Sequence, residues 1–202
     1  MSYMSHKIGI TGGIGSGKTT VCKVFETLGI PVYYADTRAK QLMNCDPALK
    51  ASLAEYFGNE IYCGGELVRH RLADIIFNDK TALEKVNSWV HPAVAVDFEQ
   101  WCARQTSQYV LEESAIIFEC NLAHRFRKVI LVTAPDNVRI ERICARDGVT
   151  PEVVRQRMIN QWPEEKKITL ADYMIYNDKT HLITPQIMKI HRQLMSYELL
   201  NH

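Results

Sequence analysis

Gly12-Gly13-Ile14-Gly15-Ser16-Gly17-Lys18-Thr19 satisfies the spacing GxxxxGK[ST], with a second threonine, Thr20, directly after it. Glycines at this density let the backbone curl so that successive N–H groups face inward. A helix starting at the lysine adds the partial positive charge of its N-terminus. The chemistry this suits is the holding of a nucleoside triphosphate. Gly13, Ile14, Gly15, Ser16, Gly17, Lys18, Thr19 and Thr20 are the candidate phosphate-binding residues. Lys18 is expected to reach the β- and γ-phosphates, and the Thr19 hydroxyl to join the shell of a Mg²⁺ cofactor that accompanies ATP.

Further charged residues extend the pattern. Arg139, Arg142 and Arg146 are three and four apart, near one face of a helix, where their guanidiniums repel unless an anion lies among them. The alternative is a solvated basic face offset by Glu141 and Asp147. Asp36 closes the apolar run IPVYYAD, at the end of a strand where open α/β sheets place ligands; it suits a general base or a metal-side carboxylate, and equally a helix N-cap. Glu112 and Glu113 close another strand-like run, YVLEE, and alternation alone does not say which of them faces the metal.

The elements that must position these groups follow from periodicity. HKIGIT reads as a buried strand, and Lys18 to Leu28 as a helix stopped by Gly29, so the glycine loop lies between a strand and a helix. From about 37 to 105 the pattern is helical, with turn signals at 44–47, 58–59, 64–65 and 78–79. RLADIIF, ALEKVNSWV and PAVAVDFEQWCARQ read as amphipathic segments, and the pair His91-Pro92 as a possible helix start. QYVLEESAIIFE and RKVILVTAP return to β-rich runs. DNVRIERICARDG and TPEVVRQRMINQW are helices, the second with Thr150 as N-cap and Pro151 at its first position. ADYMIYN is a last strand, and TPQIMKIHRQLMSYELL a closing helix opened by Thr184 and Pro185. The expected fold class is α/β: a P-loop NTPase core with a parallel sheet, a helical acceptor-binding insertion and a small helical lid. The expected boundaries are 7–36, 106–138 and 167–202 for the core, 37–105 for the insertion and 139–166 for the lid.

The whole chain narrows the function classes. Its 202 residues, 47% hydrophobic and 23% charged, suit one globular core with insertions. A formal charge of +1 gives no global field for nucleic acid or a membrane surface, so neither is expected as a partner. No apolar run approaches the roughly 18 residues of a membrane span. The six cysteines form no CxxC pair, and no signal peptide precedes the first strand, so reduced thiols and a cytoplasmic location are expected. A guanine-nucleotide switch would carry N-K-x-D, whereas residues 177–180 read NDKT. A small-molecule kinase fits best; the rivals are a kinase for a different small metabolite and a nucleotide-dependent switch protein.

TGGIGSGKTT, LGIPVYYAD, GELVRHRLADIIF, VNSWVHP, RICARDG and ADYMIYN follow one another as in the dephospho-CoA kinase family, which the chain resembles from about Ile8 to Asn177. The resemblance implies ATP-dependent phosphorylation of the ribose 3′-hydroxyl of dephospho-CoA, with CoA and ADP as products. It implies that Gly15 to Thr20 hold the ATP phosphates, that Asp36 is the base near the acceptor, and that Arg69 and His91 match acceptor-domain positions. Arg142 and Arg146 match lid-side arginines, and Asn177 a residue near the adenine. Arg69 is also compatible with a helix surface, His91 with a buried imidazole, and Asn177-Asp178 with a simple turn. Three departures stand out: YAD where the family often has DAD, Ala115-Ile116-Ile117 in place of a Pro-Leu-Leu run, and Lys179 where a glycine often follows the asparagine by two.

Overall fold

The computed structural model describes residues 5–196. In chain order the first elements are β1 (His6–Thr11), α1 (Lys18–Thr27), β2 (Val32–Tyr34), α2 (Ala35–Cys45), α3 (Pro47–Phe57), β3 (Tyr62–Cys63), β4 (Glu66–Leu67), α4 (Arg69–Asn78) and α5 (Lys80–Cys102). There follow β5 (Tyr109–Glu113), β6 (Lys128–Thr133), α6 (Asp136–Asp147), α7 (Pro151–Ile159), α8 (Glu164–Ile168), β7 (Tyr173–Tyr176) and α9 (Ile183–Ser196). They fall into two compact units, Ala35–Arg104 and the remaining described residues.

In the larger unit, five parallel strands run in the order β2-β5-β1-β6-β7. The strands are almost continuously apolar because helices and loops cover both faces. Ile8, Ile10, Leu111, Ile130, Val132 and Ile175 share a core with Val21 and Phe25 of α1 and Ile187 and Leu194 of α9. On the opposite face the chain after β5 folds back so closely that a Cβ on Gly9 would lie 2.9 Å from Ile117 and 3.0 Å from Phe126. β1 is therefore the central strand, and the glycine loop springs from its C-terminal end. β5 is shorter than the β-rich run QYVLEESAIIFE suggests. It stops at Glu113, and Ser114 donates its N–H to the Ile10 carbonyl (3.1 Å) before the chain turns.

The smaller unit is built on α5. Ala82, Val86, Val90, Val94, Phe98 and Cys102 recur every four residues along one buried stripe. Pro92 sits inside this helix rather than at its start, on the exposed side, so the two amphipathic segments read around it are one continuous element. Asp46 and Asp79 cap α3 and α5 with their side chains, as the turn signals there suggest. Gly64-Gly65 make the turn of the β3-β4 hairpin. Arg38 of α2 clamps Asp97 of α5 through two hydrogen bonds, at 2.9 and 2.5 Å.

Candidate active site

Residues 12–17 connect β1 to α1, and geometry requires several of the glycines, Gly15 and Gly17 among them. Gly15 has φ +78°, and a Cβ there would lie 2.6 Å from the backbone oxygen of Arg139. Gly17, in the left-handed region with φ +93°, is the N-cap of α1, and a Cβ would lie 2.1 Å from Asn177 Nδ2. No side chain caps α1, so the positive end of the helix is left for a ligand to satisfy. Lys18 folds back over the loop: its Nζ donates to the Gly12 carbonyl (3.0 Å) and lies 3.8 Å from Glu113 Oε1. Thr19 and Thr20 are exposed on the first turn of the helix.

The two glutamates of β5 are now distinguished. Glu113 pairs with Lys18, whereas Glu112, on the other face of the strand, lies 3.8 Å from Arg125. Both carboxylates are buried, and only Glu113 belongs to the loop's surroundings. One turn into α1, burial and then the Glu113 charge push the Cys22 thiol well up, so it stays protonated and unreactive.

The arginines of α6 do not gather round a common point. Arg139, buried at 5% exposure, donates Nε to the Ile14 carbonyl (2.9 Å) and pairs with Asp136 and Glu164. Arg142 reaches the Gly15 and Ser16 carbonyls, both at 3.3 Å, and donates to the Asn177 carbonyl at 2.9 Å. Asn177 completes the brace by donating Nδ2 to the Ser16 carbonyl (2.8 Å). Arg146 is mostly exposed and held by Asp147, which Arg157 also contacts. Each guanidinium is thus matched by a protein acceptor, and the repulsion expected from spacing alone is already relieved.

The structure therefore brings Lys18, Arg142 and Asn177 together on the loop, and adds Glu113, Arg139 and Gln161, whose Oε1 accepts from the Ile14 N–H (2.8 Å). The spacing of Arg139 was visible in the sequence; the reach of Gln161 had no sequence signal. Asp36 lies in the first turn of α2, immediately after β2, as an exposed residue rather than the helix cap. Its charge there suits the helix dipole. Arg69 is exposed at the first position of α4, and His91 is half-buried in the middle of α5.

A parallel sheet whose central strand feeds a glycine loop and an uncapped helix, with a lysine held over the loop, defines a P-loop nucleotide-binding protein of the kinase type. The family model for dephospho-CoA kinase matches residues 6–182. The dephospho-CoA kinase of Porphyromonas gingivalis is 44% identical over 184 residues, 91% of either chain. The crystal structure of TT1252 from Thermus thermophilus superposes with a TM-score of 0.81 at 30% identity, covering 95% of this chain and 97% of that one. Dephospho-CoA kinase from Campylobacter jejuni shares the fold, with a TM-score of 0.68 at 23% identity over 95% of this chain and 98% of that one. The chain belongs to the dephospho-CoA kinase family. Among the described residues, no helix is long and apolar enough to cross a membrane.

Proposed function

We propose that this protein transfers the γ-phosphoryl group of ATP to the ribose 3′-hydroxyl of dephospho-CoA, giving CoA and ADP in the last step of CoA synthesis, in the cytoplasm. The observation that carries the reading is the uncapped N-terminus of α1 joined to a loop over which Lys18 is poised by Gly12 and Glu113. Residues 13–20 form the cradle that holds the phosphates, largely through backbone N–H groups other than that of Ile14, and Lys18 leaves the Gly12 carbonyl to meet the transferring phosphoryl oxygens. Asn177 positions the nucleoside side. Its neighbours Tyr176 and Asp178 line a cleft of about 700 Å³ together with Trp162, room for a base and ribose.

The 3′-hydroxyl oxygen forms its bond to the γ-phosphorus as the bond to the β-phosphate oxygen breaks. Asp36 accepts the hydroxyl proton, for which its exposed carboxylate is available. Arg69 and His91 serve the acceptor from the 37–105 insertion. Arg142 and Arg146 serve the phosphates from a lid over 139–166, whose closing excludes water, with 7–36, 106–138 and 167–202 as the core. Thr19 offers an exposed hydroxyl oxygen at the helix start, a donor that fits Mg²⁺ when phosphates and water complete its shell. Bound there, the ion neutralises charge on the phosphates.

The test is to incubate the protein with ATP, Mg²⁺ and dephospho-CoA, and to identify the product by mass and phosphorus NMR. A new 3′-phosphomonoester on the ribose is the expected result. An unchanged acceptor, or phosphate at another hydroxyl, would remove the assignment.

A further inference from the structure

Residues 160–163 join α7 to α8, and this connection and α8 are tied to the rest of the larger unit at several points. The Trp162 N–H donates to Glu119 Oε1 (3.3 Å), and the buried Lys167 pairs with the same carboxylate at 2.5 Å. Glu164 pairs with Arg139 at 3.4 Å, and Gln161 accepts from the Ile14 N–H. Arg139 in turn donates to the Ile14 carbonyl, so Arg139 and Gln161 hold one residue of the glycine loop by its two backbone polar groups.

The peptide plane between Gly13 and Ile14 presents its N–H to Gln161 (2.8 Å), while its carbonyl, that of Gly13, accepts from the Ser16 N–H (3.1 Å). The next plane, between Ile14 and Gly15, presents its carbonyl to Arg139 Nε (2.9 Å). In a trans peptide the N–H points opposite to the carbonyl, so holding the Ile14 carbonyl toward Arg139 aims the Gly15 N–H the other way. Two adjacent planes held in this manner fix φ and ψ of Ile14, the two soft torsions that lie between them.

We infer that Gln161 is a positioning residue for ATP: with Arg139, it presets the curl of the glycine loop through the Ile14 backbone, so that the phosphates meet N–H groups already aimed at them. In this role Gln161 acts through its carbonyl oxygen, which accepts from the Ile14 N–H, and so on the loop rather than on the phosphates. A preset loop loses less conformational freedom on binding, and that gain appears as affinity for the nucleotide rather than for the acceptor. The inference rests on the reading of this loop as the ATP site.

The experiment compares Gln161→Met and Gln161→Ala with the unaltered chain. Michaelis constants are measured for each substrate, kcat and melting temperature are recorded, and MgATP binding is followed by calorimetry. Methionine keeps the volume and removes the acceptor; alanine removes both. Both variants are expected to raise the KM and dissociation constant for ATP about tenfold, to leave the KM for dephospho-CoA within about twofold, and to lower kcat less than ATP affinity. The methionine variant should melt near the parent temperature. A methionine variant that binds ATP within about twofold of the parent would overturn the inference, as would a parallel rise in both KM values tracking a lower melting temperature. If the unaltered protein binds MgATP but does not phosphorylate dephospho-CoA, the proposed reaction fails, while calorimetry on the variants still decides the role of Gln161.

Discussion

Around the glycine loop, Arg139, Arg142, Gln161 and Asn177 all bond to loop backbone atoms, and Lys18 is held by a carbonyl and a buried glutamate. In the unit Ala35–Arg104, by contrast, the candidate residues Asp36 and Arg69 are exposed on the first turns of helices, and His91 is half-buried along a third. The rigid elements of that unit are instead the α5 stripe and the Arg38–Asp97 clamp. Under the proposed function, the difference follows from the ligand chemistry. Phosphates are recognised by backbone N–H groups, which must be aimed in advance by the protein. A base acting on a hydroxyl needs its carboxylate accessible, and its geometry tightens only when the acceptor is bound.

Substitutions can break that contrast or sharpen it. The largest effect is expected from Asp36→Asn, which should lower kcat by about 10²–10⁴ while leaving ATP affinity unchanged, measured by steady-state kinetics beside calorimetry. A large loss of ATP binding in this variant would place Asp36 among the nucleotide residues and erase the distinction. Lys18→Ala should reduce kcat/KM by about 10²–10³, through lost stabilisation of the transferring phosphoryl group, and should also leave Glu113 buried without its lysine. Gly15→Ala acts on the loop itself. A positive φ and a Cβ 2.6 Å from a backbone oxygen that has no flexible end to move should cost about 2 kcal/mol of stability, read from urea unfolding. Weakened ATP binding should accompany it.

Lys179→Gly is the smallest and carries the opposite sign. Lys179 has φ +72°, where a lysine is strained and glycine is not. The glycine variant should be more stable by about 1 kcal/mol in the same unfolding measurement, with catalysis unchanged. Its lost partner is an exposed ion pair to Glu141, screened by water. A destabilised glycine variant would mean that this pair outweighs the backbone strain.

The glycine loop was legible in the sequence because its chemistry is local: spacing, flanking strand and following helix all lie within residues 6–28. The helical character of 37–105 and the turns at 44–47 and 78–79 were legible for the same reason; that Asp46 and Asp79 cap the helices there was added by the structure. Pro92 misled, because a proline on the exposed side of a helix whose buried stripe continues through it need not break the helix. The choice between Glu112 and Glu113 needed the neighbours of β5. Which face meets Lys18 is a tertiary fact, invisible to alternation. The braces illustrate the same limit. Gln161 lies 147 residues from Ile14 and Arg139 lies 125, so their roles exist only once β1 and β6 are paired. The arginine spacing pointed to the right helix, but its first arginine faces the loop backbone and its last faces Asp147.

The most direct test is ADP release from ATP and Mg²⁺, measured with and without dephospho-CoA, for the unaltered protein and for Lys18→Ala. ADP formation that depends on dephospho-CoA, with CoA produced in equal amount, and that collapses in the lysine variant is the predicted result. ADP released at the same rate without the acceptor, or turnover that survives the loss of Lys18, would contradict the account.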